Sequence, residues 1–187
     1  MFPASDLEIR TTAGLTSPSP GRLAGYAAVF DSPADFGEFT ETVRPGAFTR
    51  ALAERGAAIL ALYDHERRSV LGRTGAGTLK LKEDARGLAF ELDLPDTSLG
   101  RDLAVMVGRG DVNGCSFAFR CYADGDAWSS NGGRVTRELR SVELHEITIT
   151  PQPAYANTEV ALRSRPVDYS KSPTFNDTRR AWLETCR

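Results

Sequence analysis

Apolar and polar positions alternate most clearly in the middle of the chain. Leu79 and Leu81 alternate with Lys80 and Lys82, and Leu88, Phe90, Leu92 and Leu94 alternate with Ala89, Glu91 and Asp93. A period of two on both sides of Glu83-Asp84-Ala85-Arg86-Gly87 predicts a hairpin with one face in water. Further strands are expected over 7–12, 22–31, 39–43, 57–63 and 113–122, with a turn-rich break at 16–21. Residues 128–133 read as a hairpin tip, and 135–150 as two strands around a kink. A period of 3.6 appears twice. Phe48 and Leu52 share a face in a predicted helix over 46–55, where Pro45 is tolerated and Gly56 ends the run. Leu99, Leu103 and Met106 form a stripe behind a cap at Thr97 or Ser98, with Gly108 and Gly110 as stops.

About seven antiparallel strands with two short helices predict a mainly β (α+β) domain over 1–163. A closed or nearly closed barrel is expected, because closure removes the edges that a flat sheet would expose. From Ser164 the pattern fades into a tail, 164–187, apart from a candidate helix at 177–185.

Composition narrows the function. With 41% apolar and 26% charged residues among 187, the chain reads as a soluble globular protein, and no run approaches the ~18 to 20 apolar residues of a spanning helix. The first six residues lack the basic start and apolar stretch of a secretory signal, so a cytoplasmic location is expected. A net charge of -2, from 23 basic and 25 acidic residues, gives no footprint for nucleic-acid binding. Cys115 and Cys121 would lie about 20 Å apart on an extended strand, which argues against a disulfide between them, and the three cysteines cannot make a four-cysteine zinc site. Two histidines, His65 and His145, are the only imidazoles available to any mechanism.

Three segments offer the parts of a hydrolytic site. A hydroxyl needs a base within hydrogen-bond reach, and the base needs an acceptor that fixes its tautomer. His65 lies in Leu62-Tyr63-Asp64-His65-Glu66, and Ser116 in Gly114-Cys115-Ser116-Phe117-Ala118-Phe119. There Cys115, Phe117 and Phe119 share the core face, and Ser116 takes the wetter one. Val142 and Leu144 set an apolar register that Ile147 and Ile149 contradict, so the alternation breaks at His145 and Glu146. Such a break predicts a bulge or a change of buried face. Taken singly, each of the three is an ordinary strand or turn residue, and spacing alone does not bring them together.

Together the segments resemble the prohead serine protease family of tailed bacteriophages, over about residues 22–163. The resemblance is carried by Gly25-Tyr26-Ala27-Ala28-Val29-Phe30, Glu41-Thr42-Val43-Arg44-Pro45-Gly46-Ala47-Phe48, Asp64-His65 followed by Leu71-Gly72-Arg73, the Gly-x-Ser-Phe-x-Phe strand at 114–119, and Glu146-Ile147-Thr148-Ile149 leading to Pro153-Ala154-Tyr155. It implies a herpesvirus-protease-like antiparallel β-barrel flanked by helices, with His65 as base, Ser116 as nucleophile and Glu146 as the orienting residue. His145 competes for the third role, because the related herpesvirus enzymes use a second histidine. Cys115 departs from the commoner family pattern and raises the alternative of a cysteine nucleophile. Arg134, Arg137 and Arg140 are candidate oxyanion donors. No cofactor or metal is implied. The resemblance implies cleavage of the scaffold region of the major capsid protein, and of the chain itself, inside the assembling prohead in the host cytoplasm. It implies neither nucleic-acid nor membrane partners, and a homo-oligomer is compatible with it. The alternative is a non-catalytic scaffold-binding protein of the same fold.

Overall fold

The computed structural model describes residues 7–19 and 21–151. Thirteen strands among them form three sheets. The first contains β1 (Glu8–Ala13), β10 (Gly114–Cys121), β13 (Val142–Thr150), β6 (Leu60–Tyr63) and β7 (Glu66–Arg73), in that order. The second is β11 (Asp126–Asn131), β12 (Arg134–Leu139), β5 (Phe39–Val43) and β4 (Ala34–Asp35). The third is β2 (Thr16–Ser19), β3 (Arg22–Val29), β9 (Gly87–Asp93) and β8 (Leu79–Glu83). Helices α1 (Thr49–Arg55) and α2 (Ser98–Arg109) complete the fold.

The expectation of a mainly β domain with two short helices holds; that of a closed, wholly antiparallel barrel does not. Among the described residues no ladder joins one sheet to another, and two pairings are parallel, β13 with β6 and β12 with β5. Parallel neighbours need long connections, and the chain between β6 and β13 supplies four of the eight strands of the other two sheets. The sheets are held by a shared core rather than by edge-to-edge closure. Phe48 meets Phe117 edge-on at 5.4 Å, and Phe117 stacks on Phe119 at 5.2 Å, in a buried cluster that also takes Leu23, Leu88 and Leu103. At one edge, Thr12 Oγ1 of β1 donates to the Ala27 carbonyl of β3 at 3.3 Å, a side-chain contact where a barrel would need a ladder.

Helix α2 follows its sequence signals. The Gly100 N–H donates to Thr97 Oγ1 at 3.2 Å, and Gly110 at φ +84° closes the C-terminus through Met106 and Val107 carbonyls. Gly108, expected to stop it, lies inside. Helix α1 starts three residues later than the pattern predicts, because Gly46 has φ +90° and cannot be helical. The Glu83 carboxylate of β8 accepts the Phe48 N–H at 3.1 Å, placing an anion at this helix's N-terminus. The break at 16–21 contains β2, an edge strand that tolerates Pro18. Among the described residues no helix is long and apolar enough to cross a membrane. The candidate helix at 177–185 and the tail boundary at 163 lie outside the described residues.

Candidate active site

Strands β6 and β7 are joined by two residues only, Asp64 and His65, flanked by the pair Tyr63 and Glu66. Both have positive φ, +50° and +57°, as a two-residue turn matching strand twist requires. Such angles are uncommon for residues other than glycine and are held where the surroundings over-determine them. Here β13 does so: the Asp64 N–H donates to the Ile149 carbonyl at 3.0 Å, and Thr150 Oγ1 donates to Asp64 Oδ1 at 3.1 Å. With the turn fixed, His65 Nδ1 lies 3.0 Å from Glu146 Oε1. The glutamate is nearly buried and the imidazole about one quarter exposed. A proton on Nδ1 is donated to the carboxylate, which leaves Nε2 as an acceptor.

The same strand carries the predicted irregularity. Ala118 pairs with Glu146 but Phe119 with Leu144, so His145 is the extra residue of a bulge. The bulge reconciles the two registers, since Val142, Leu144, Ile147 and Ile149 all reach the core. His145 does not contact His65. Its Nε2 is 3.3 Å from Glu143 Oε2 without hydrogen-bond geometry, and its pKa is lowered by burial, with Arg55 and Arg120 acting the same way against Glu143.

Ser116 lies between two threonines, Thr11 of β1 and Thr148 of β13, each its direct partner in register. Ser116, Glu146 and Thr148 therefore share one face of the sheet. The expectation that this face is wetter fails: Ser116 is 1% exposed and Ala118 fully buried, because β10 lies inside its sheet, between β1 and β13, and is buried on both faces. Ser116 Oγ donates to the Arg10 carbonyl at 2.8 Å and accepts from Thr11 Oγ1 at 3.3 Å. Among the described residues no hydrogen bond joins Ser116 to His65. The structure thus brings His65 and Glu146 together and places Ser116 on their face of the sheet, with its hydroxyl engaged elsewhere.

The competing cysteine is in the wrong environment. Cys115 is on the core face, 1% exposed, and burial pushes its thiol up to about 12, so it holds almost no thiolate near neutral pH. The arginines proposed as oxyanion donors lie on β12 or just after it, in the second sheet. Arg134 bonds Thr40 and Asp35, and Arg140 bonds Glu138. Arg137 is 3% exposed among Glu8, Glu41 and Asp126.

Arg137 belongs to a buried charge network that sequence reading missed. Arg10 holds Glu41 through Nε and Nη2 and Glu8 at 2.9 Å, and Arg137 holds Glu41 at 3.0 Å and Asp126 at 2.7 Å. The Arg10 guanidinium also lies 4.7 Å over Phe36 and 5.4 Å over Phe119. A charged residue at the centre of Phe39-Thr40-Glu41-Thr42-Val43 was the available signal for Glu41. Nothing local marked Arg10 or Thr11 as neighbours of Ser116.

Comparison with known proteins agrees with this architecture. The family model described as caudovirus prohead serine protease matches residues 5–173 of the 187. Among solved structures, the bacteriophage T4 capsid assembly protease, gp21, superposes with a TM-score of 0.54 at 9% identity, over 78% of this chain and 97% of that one. At that identity the likeness concerns the fold. No curated protein matches. The family match spans every described strand and both helices, and the chain belongs to the caudovirus prohead serine protease family, peptide-bond hydrolases of capsid assembly and maturation.

Proposed function

We propose that the protein is a serine endopeptidase that cleaves the scaffold region of the major capsid protein, and its own chain, inside the maturing prohead. The contact between His65 Nδ1 and Glu146 Oε1, on the face that carries Ser116, supports this reading most strongly. Ser116 Oγ attacks a peptide carbonyl while its proton passes to His65 Nε2. The tetrahedral intermediate collapses, the C–N bond breaks, and His65 gives the proton to the leaving amine. Water then attacks the acyl carbonyl as the same nitrogen takes its proton, the ester bond to Oγ breaks to release the acid, and Nε2 returns the proton to Ser116 Oγ. Glu146 holds the tautomer and stabilises the imidazolium.

On this reading, the hydrogen bond from Ser116 to the Arg10 carbonyl corresponds to a resting arrangement, with the base oriented and the nucleophile turned aside. The same bond is what a non-catalytic scaffold-binding protein of this fold would retain. Co-expression with the capsid protein separates the two readings. Ser116→Ala and His65→Ala should each reduce processing by on the order of a thousandfold or more, since such residues act as a unit. Normal head maturation with Ser116→Ala would overturn the peptidase reading.

A further inference from the structure

Thr148 is 0% exposed, and its Oγ1 is buried with no hydrogen-bond partner among the described residues. A buried hydroxyl left unpaired carries a desolvation cost that native structures rarely retain without a use. Its position is specific. Along one face of β13 stand Glu146, Thr148 and Thr150; Thr150 holds Asp64 and Glu146 holds His65. The two turn residues therefore bracket Thr148 on one side, while Ser116 stands directly opposite it on the other.

We propose that Thr148 is a positioning residue that holds the productive rotamer of Ser116. This rests on the reading of Ser116 as nucleophile. In the resting arrangement Ser116 leans toward β1, where it donates to the Arg10 carbonyl and accepts from Thr11. Rotation about its χ1 by one staggered well carries Oγ toward β13. There the pattern repeats in mirror form: Ser116 donates to His65 Nε2 and accepts from Thr148 Oγ1. Thr148 keeps its proton throughout and supports the oxygen that becomes negative as His65 takes the serine proton. The hydroxyl unpaired at rest is thus paired when the serine is ready to attack.

The test uses the full chain and a fluorophosphonate probe, which labels an activated serine without a known substrate. Thr148→Val keeps the shape and removes the hydroxyl; Thr148→Ser keeps the hydroxyl. Labelling should slow about tenfold or more in Thr148→Val, as expected for one lost hydrogen bond to an oxygen gaining charge, and recover to within about threefold in Thr148→Ser. The melting temperature of Thr148→Val should stay level or rise, because an unpaired polar atom is replaced by a methyl. A merely structural threonine would give the opposite pairing of results. Wild-type labelling of Thr148→Val, or a loss that Thr148→Ser does not restore, would overturn the proposal. Persistent labelling of Ser116→Ala would instead overturn the assignment of the nucleophile.

Discussion

Two groupings of opposite charge lie on the two faces of one sheet, and they are built differently. On the core face, Glu8, Arg10, Glu41, Arg137 and Asp126 satisfy one another in a network whose central members are almost fully buried. On the other face, His65 and Glu146 make a single contact, and the far nitrogen of the imidazole has no partner among the described residues. A network whose hydrogen bonds are taken up by its own members and by fixed neighbours, the Ile9 carbonyl, Trp128 and Cys121, is suited to holding a fold. A pair with one unused acceptor, held by a strained turn, retains the capacity for proton transfer. The difference separates charge used up within the architecture from charge that still has a side open to a further partner.

Substitution of the two glutamates should reveal this division. Glu146→Gln is expected to cut turnover by about ten-thousandfold through loss of the correct tautomer, while an amide of the same shape leaves the fold in place. His145→Ala should cost far less activity, and a greater loss from His145→Ala would reassign the orienting role. Glu41→Ala is the converse case. It strands two buried guanidinium groups and should destabilise the protein by about 3–5 kcal/mol in urea unfolding. A melt unchanged by Glu41→Ala would show that the network contributes no such support.

A smaller effect is expected with pH. Burial lowers the His145 pKa, so the unfolded chain binds a proton there more readily than the folded one. Its contribution to stability is complete above the unfolded value of 6.5 and is lost as pH falls below it. His145→Gln should flatten this acid limb of the stability curve. An identical limb in wild type and variant would assign the titration to other groups.

The parts legible in the sequence are those written in short-range pattern. The β8–β9 hairpin follows from alternating leucines, α2 from its stripe and caps, and the bulge at His145 from two registers that disagree within one strand. Long-range pairing left no such trace. Nothing in Glu8-Ile9-Arg10-Thr11-Thr12-Ala13 states that it lies beside a strand about 105 residues away, and nothing in Phe39–Val43 indicates a parallel neighbour in β12. Strand β7 was missed because Glu66, Arg67 and Arg68 open it with charge at a sheet edge. Of the candidate site, the break beside Glu146 was readable as a bulge. The burial of Ser116 was not, because it depends on which strands flank β10.

The resting acceptor of Ser116 is a main-chain oxygen, that of Arg10. Every amino acid carries that oxygen, so no substitution at position 10 deletes it while β1 keeps its pairing. The observed placement of the Ser116 hydroxyl is therefore encoded in strand pairing rather than in the identity of one side chain. It can pass unchanged through extensive divergence of β1, so long as that strand stays paired beside β10.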